Sequence, residues 1–201
     1  MKMHVICVAY GRPKELQILI GSFLVQTNKN WILHIVYDGP PPQDVKNVVA
    51  PYVDKDSKYY DTRIDFWKSL ERYQHYGHPN RRTMLETIPT NPSDFILMTN
   101  DDNYYVPVFV DYMLKECKFG VGIVYCDTVH SHADYDVHIS QLKENCIDMG
   151  AFIVRADIAK ETGFNYDHFS ADGVYAEECL QTCIRRKLLA IKIKKPLFIH
   201  N

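Results

Sequence analysis

Phe95-Ile96-Leu97-Met98-Thr99-Asn100-Asp101-Asp102-Asn103-Tyr104-Tyr105 is the stretch from which the rest of the chain can be read. Its first four residues are apolar, follow the turn-forming cluster Asn91-Pro92-Ser93-Asp94, and give way to Thr99. A short apolar run bounded by turn residues reads as a buried strand. Asn100, Asp101, Asp102 and Asn103 come straight off its carboxyl end. In an open α/β sheet, ligands sit in the crevice outside the carboxyl ends of the strands. Two adjacent carboxylates repel each other there unless a cation or hydrogen-bond donors compensate. The run therefore has two readings: a divalent-metal site holding a phosphorylated ligand, or a solvated Asx-rich turn. The remainder of the chain favours the first.

Upstream, the same pattern of strand and polar turn recurs. Val5 to Ala9 is apolar and β-rich, and Tyr10-Gly11-Arg12-Pro13 follows it. Pro13 suits the first position of a helix, and Leu16, Leu19, Ile20, Phe23 and Leu24 supply that helix with an apolar stripe. Trp31 to Val36 is a second strand, closed by Tyr37-Asp38-Gly39-Pro40, with a short helix from Gln43 to Val49. Lys58 to Phe66 is a candidate third strand. Arg81 and Arg82 are read as opening a helix through Ile88, where they would oppose the helix dipole. That placement suggests an anionic partner. No G-x-G-x-x-G and no Walker A sequence is present, which argues against dinucleotide binding and P-loop hydrolysis.

Downstream, Val108 to Cys117 reads as a helix and Val121 to Cys126 as a strand. Thr128 to His138 holds His130, His132 and His138 and reads as a polar loop rather than a metal site; the polar 128–146 region is expected to face an acceptor. Met149 to Val154 is a strand candidate and Ala156 to Thr162 a helix, ended by Gly163. Ser170 or Asp172 is placed to cap a helix from Val174 to Arg186. Leu189 to Phe198 is a last strand, broken by Pro196.

The 201 residues are 46% hydrophobic and 24% charged with net charge −2. That suits one α/β domain and supplies no basic field for nucleic acid. No apolar run is long enough for a transmembrane helix. The six cysteines form no C-x-x-C pair or disulfide framework, so reduced thiols and a cytoplasmic setting are expected. Cys179 and Cys183, four apart on one helix face, read as core.

The order of these pieces resembles the GT-A glycosyltransferases, most closely the family-2 type. The matches are the opening V-I-C-V-A-Y-G-R-P and Y-D-G-P, which looks like the family's D-D-G-S. R-R-T-M-L-E-T-I with the following N-D-D-N is similar to its helix with a leading arginine and D-x-D-like metal motif. M-G-A-F-I-V-R-A-D-I-A-K-E-T-G-F with S-A-D-G looks like its acceptor-side strand and helix and the dipeptide that carries the base. Tyr37 stands where the family has the first acid of D-D-G-S, Ala171 stands before Asp172 where it has another, and Glu177-Glu178 is a second possible match to the base dipeptide.

The resemblance implies a mixed, mostly parallel central sheet flanked by helices in a single domain over 1–201. Residues 1–103 would bind the nucleotide sugar and 104–201 the acceptor, as a minimal catalytic core. It implies transfer of a sugar, with inversion, from a nucleoside-diphosphate sugar (UDP favoured) to a glycan, lipid-linked or small-molecule hydroxyl. Mn²⁺ or Mg²⁺ would be held by Asp102 and His200. Asp172 would be the general base, with Glu177 and Glu178 as fallbacks. Ala9, Tyr10, Arg12, Asp38, Asn100 and Asp101 would serve the nucleotide sugar, with Arg82, or alternatively Arg81, on the diphosphate or base. A non-catalytic binding module on the same fold and a nucleotidyltransferase are the competing readings.

Overall fold

The computed structural model describes residues 1–201. Its elements are β1 (Met3–Ala9), α1 (Pro13–Leu24), β2 (Trp31–Tyr37), α2 (Gln43–Val53), β3 (Ile64–Lys68), α3 (His78–Thr87), β4 (Phe95–Asn100), β5 (Tyr104–Tyr105), α4 (Phe109–Glu116), β6 (Val121–His130), β7 (Asp136–His138), β8 (Phe152–Arg155), α5 (Ala156–Thr162), α6 (Ala171–Arg185) and β9 (Leu189–His200). Short 3₁₀ turns at His75–Gly77 and Met149–Ala151 lead into α3 and β8.

One sheet runs in the order β3-β2-β1-β4-β8-β6-β9-β5, with β7 paired to β6. Strands β3, β2, β1 and β4 are mutually parallel. β8 is antiparallel to both β4 and β6, and β9 runs parallel to β6. Seven consecutive buried residues in β1 explain its central place, since a strand covered by helices on both faces has no reason to alternate. The register sets Val8 opposite Asn100 and Ala9 opposite Tyr37. The three strands therefore end level, and Tyr10, Asp38 and Asp101 emerge side by side.

Several expected boundaries shift, each for a local reason. β3 begins at Ile64 rather than near Lys58, because Asp61 folds the preceding segment by accepting from both the backbone and the guanidinium of Arg63. α3 starts at His78, with Pro79 in its first turn and the left-handed Gly77 before it. Arg81 and Arg82 thus lie inside the helix, and the dipole argument for an anion at its start does not hold. The segment around His130 and His138 is a β6–β7 hairpin rather than a loop. α6 starts at Ala171 with no side-chain cap; Ser170 donates to Glu144 Oε1 at 2.7 Å instead. Pro196 does not break β9. Pairing with β6 shifts register across Ile193 to Pro196, and such a bulge tolerates a residue without an N–H.

Candidate functional site

A cleft of about 680 Å³ opens at the level ends of β1, β2 and β4, lined among others by Tyr10, Arg12, Asp38, Arg72, Tyr76 and Asn100. Arg12 lies over its carboxylates, pairing with Asp101 Oδ1 at 2.8 Å and with Asp102 Oδ2. The Tyr10 N–H donates to Asp101 Oδ2 at 2.9 Å. Burial raises the Asp101 carboxyl to about 6, while Arg12 and the Tyr10 N–H pull the other way. The Tyr10 ring is half-exposed beneath the Arg72 guanidinium, 3.7 Å from ring centroid to Cζ. Ala9 is buried and its carbonyl accepts from the Asp38 N–H, so it supports the cleft without lining it.

The Asp38 carboxylate is already engaged. Oδ1 accepts from the Tyr73 N–H at 2.9 Å and from Asn80 at 2.8 Å, and Oδ2 accepts from the Gln74 N–H at 3.2 Å. It ties down the segment between β3 and α3, where Gln74, His75, Tyr76 and Gly77 all have positive φ. Such backbone costs roughly 1–3 kcal/mol per non-glycine residue and persists only where neighbours over-determine it. Gly77 is required: a Cβ there would lie 2.4 Å from Val8 Cγ1.

The two arginines of α3 diverge. Arg81 is buried; it donates to the Tyr76 carbonyl at 2.6 Å, to His78 Nδ1 at 3.1 Å, and to Asn100 Oδ1. Desolvation lowers it to about 10, still charged at neutral pH. Burial first, and then Arg81, lower His78 to about 4. Its neutral ring accepts from Arg81 at Nδ1 and donates from Nε2 to the His168 carbonyl at 3.1 Å. Arg82 turns away, donating to the Phe164 carbonyl at 2.9 Å and reaching Asp167 at 3.8 Å. Arg81 is the member of the pair beside the cleft.

A second cavity of about 280 Å³ adjoins the first, and Tyr76 and Asn100 line both. It brings together Asp172 from α6, Asp148 from before the second 3₁₀ turn, His130 and His138 from the hairpin, and His200 from β9. Burial, with the charge of Asp148 added, raises the Asp172 carboxyl above the ordinary range. A place at a helix start would be expected to lower it, but desolvation outweighs that influence here. Glu177 accepts from the Glu144 N–H at 3.0 Å and Glu178 accepts from the Tyr166 hydroxyl; neither lines the cavity. Asp148, held by His130 Nε2 at 2.8 Å, carries no sequence signal of its own. It becomes visible only once β6 and β8 are paired.

No group of three or more His, Cys, Asp or Glu side chains is arranged as a metal cage. Asp102 Oδ1 and His200 Nδ1 are nevertheless among the buried atoms at this place that lack any hydrogen-bond partner. β5 and β9 pair Tyr104 with Ile199, and the Asn201 side chain donates to the Asp102 carbonyl. His200 is therefore carried to the Asp102 turn by a strand rather than by a loose end. One carboxylate and one imidazole suit a divalent ion that takes its remaining ligands from phosphate and water.

No family model matches the chain, and no curated protein matches it. Solved structures do. Residues 1–349 of S. aureus TarS in complex with UDP-GlcNAc superpose with a TM-score of 0.77 at 15% identity, over 100% of this chain and 58% of that one. The mannosyltransferase PcManGT from Pyrobaculum calidifontis, in complex with GDP-Man and Mn²⁺, gives 0.71 at 11% identity, over 99% of this chain and 56% of that one. The chain has the GT-A fold. Its sheet order, with β8 inserted antiparallel between β4 and β6, is the GT-A arrangement in this molecule. The chain spans less than two-thirds of the length of either solved relative. No helix is long and apolar enough to cross a membrane.

Proposed function

We propose that the chain is a glycosyltransferase that moves a sugar from a nucleoside-diphosphate sugar, with UDP as the favoured nucleotide, to an acceptor hydroxyl. The observation that carries this reading is the pair of adjoining cavities, which meet at Tyr76 and Asn100. Arg12, which pairs with Asp101 and Asp102, lines the first, and Asp172 lines the other. Such a pair suits a phosphorylated donor on one side and a hydroxyl-bearing acceptor on the other. The UDP-GlcNAc and GDP-Man named for the structural neighbours support a nucleotide-sugar donor.

In this reading Tyr10, Arg12 and Asn100 border the donor. Asp38 acts through the loop that it anchors, and Arg81 holds Asn100 and Tyr76 at the junction. Asp172 accepts the proton of the acceptor hydroxyl as the new glycosidic bond forms. A carboxylate raised toward the working pH is the better base for that task. We read the transfer as direct displacement with inversion. Asp102 and His200 would hold Mn²⁺ or Mg²⁺, which supplies Lewis-acid neutralisation of the diphosphate when bound. Residues 1–103 then form the donor half and 104–201 the acceptor half of one catalytic domain.

A thermal-shift panel of UDP, GDP, dTDP and their sugar conjugates, with and without Mn²⁺, tests the reading. A ligand that binds the folded state raises the melting temperature by mass action. UDP and a UDP-sugar should shift it in the presence of Mn²⁺ and shift it less without. No shift with any nucleotide in the presence of metal would overturn the assignment.

A further inference from the structure

The second cavity is lined by two exposed aromatic side chains together with polar groups. Tyr76 and Phe169 line it and keep 61% and 80% of their surface exposed. Their ring centroids lie 5.8 Å apart at an interplanar angle of 70°, which makes an L-shaped corner of two aromatic faces. Exposed aromatics on unconstrained loops would be unremarkable. These two are held from both sides. The Tyr76 backbone has φ 56° and ψ 18°, is preceded by two further positive-φ residues, and has its carbonyl fixed by buried Arg81. Phe169 follows His168, whose carbonyl accepts from His78, and His78 in turn accepts from Arg81. One buried arginine thus anchors the backbone at or beside both rings.

The same cavity is lined by polar Asn145, Asp148, Asp172 and His138 and by buried Ile147 and Met149. An aromatic corner beside hydrogen-bonding groups matches one chemical class well. A pyranose ring presents a face of C–H bonds to the electron-rich face of an aromatic ring and directs its hydroxyls sideways to polar partners. The same side chains fit an acyl chain badly, because it would leave the cavity's polar groups unpaired. The size lies just under the usual range for small-molecule sites, about 300–1,000 Å³, so it suits a single ring.

We infer that Tyr76 and Phe169 form a stacking platform for a sugar ring of the acceptor, so that the acceptor is a glycan or glycoside. This rests on the glycosyltransferase reading and narrows it. Phe169 is the residue to test, because Tyr76 also borders the donor cleft. Methyl glycosides of glucose, N-acetylglucosamine and mannose serve as probes, followed by saturation-transfer NMR and titration in the presence of UDP and Mn²⁺. UDP affinity is measured separately on each variant.

Wild type should bind at least one glycoside. Phe169→Ala and Phe169→Leu should weaken that binding about three- to tenfold, the scale of one aromatic contact. Phe169→Tyr should retain it, and UDP affinity should be the same throughout. Glycosides that bind wild type and Phe169→Ala equally, or that none of the proteins bind, would overturn the platform. Full binding by Phe169→Leu would overturn it too, since apolar bulk would then suffice without an aromatic face. Glycoside binding that depends on Phe169 while UDP binds no variant would remove the donor reading and leave the platform standing.

Discussion

At the scale of single residues, the two carboxylates assigned different tasks should fail differently. Asp102 is partly buried and keeps one oxygen without a partner. Asp102→Asn should abolish the Mn²⁺-dependent part of UDP binding and, by removing the ion pair with half-exposed Arg12, lower stability by about 1 kcal/mol or less. Calorimetry with and without Mn²⁺ checks it; unchanged metal-dependent affinity refutes the assignment. Asp172→Asn should leave donor affinity near wild type and cut turnover by about 10²- to 10⁴-fold, the usual worth of a general base. The pH profile adds a sign. A base must be ionised to accept a proton, so activity falls as pH drops through its pKa. Because burial raises Asp172 above 3.8, the acid limb of kcat/KM should fall at a higher pH than an ordinary carboxylate would give. Asp172→Asn should remove that limb. A limb that survives in the variant belongs to another group.

At the scale of elements, β9 and the turn before α3 carry the risk. His200 is a strand residue: it pairs with His130, and its carbonyl accepts from the Ser131 N–H at 2.9 Å. Deleting the last two residues would disturb that pairing as well as any ligand, so His200→Ala is the cleaner change. It keeps the backbone bonds and should weaken Mn²⁺-dependent UDP binding with little shift in melting temperature. Equal Mn²⁺ dependence in His200→Ala and wild type would leave the ring a packing role only. Gly77→Ala combines a left-handed φ of 74° with a 2.4 Å approach to Val8 Cγ1. Overpacking of this kind costs about 1–3 kcal/mol, and Gly77 also lines the first cleft. A urea midpoint within error of wild type would show that the loop relaxes around the added methyl.

At the scale of the molecule, the proposed division into donor and acceptor halves follows no physical boundary. β4 from the first half pairs with β8 from the second, and 53 buried apolar side chains form one continuous core. Such a chain should unfold as one cooperative unit. Trp31 reports from inside the first half, packed beside Phe23 and under Arg63. The tryptophan fluorescence transition in urea, from Trp31 and half-exposed Trp67 of the same half, should coincide with the far-ultraviolet circular dichroism transition. Two separated midpoints would mean that the halves are independent.

Much of this was legible without coordinates. Apolar runs bounded by turn residues located β1, β2 and β4, and with them the strand ends where Tyr10, Asp38, Asp101 and Asp102 emerge, because burial and chain reversal are written locally in residue type. Tertiary structure alone decided which residues act together. Arg81 and Arg82 are neighbours in sequence, yet only Arg81 turns to Asn100, because successive helical positions face directions about 100° apart. Asp172 was separated from Glu177 and Glu178 by which face of α6 meets the cavity, and Asp148 entered through the pairing of β6 with β8. The Tyr76–Phe169 corner depends on positive-φ backbone at non-glycine residues and on hydrogen bonds that span 90 positions of the chain. Local patterns specify elements because each residue's preference acts on its immediate neighbours. A site needs distant side chains to share one crevice, and that is set only when the whole sheet and its helices close on a common core.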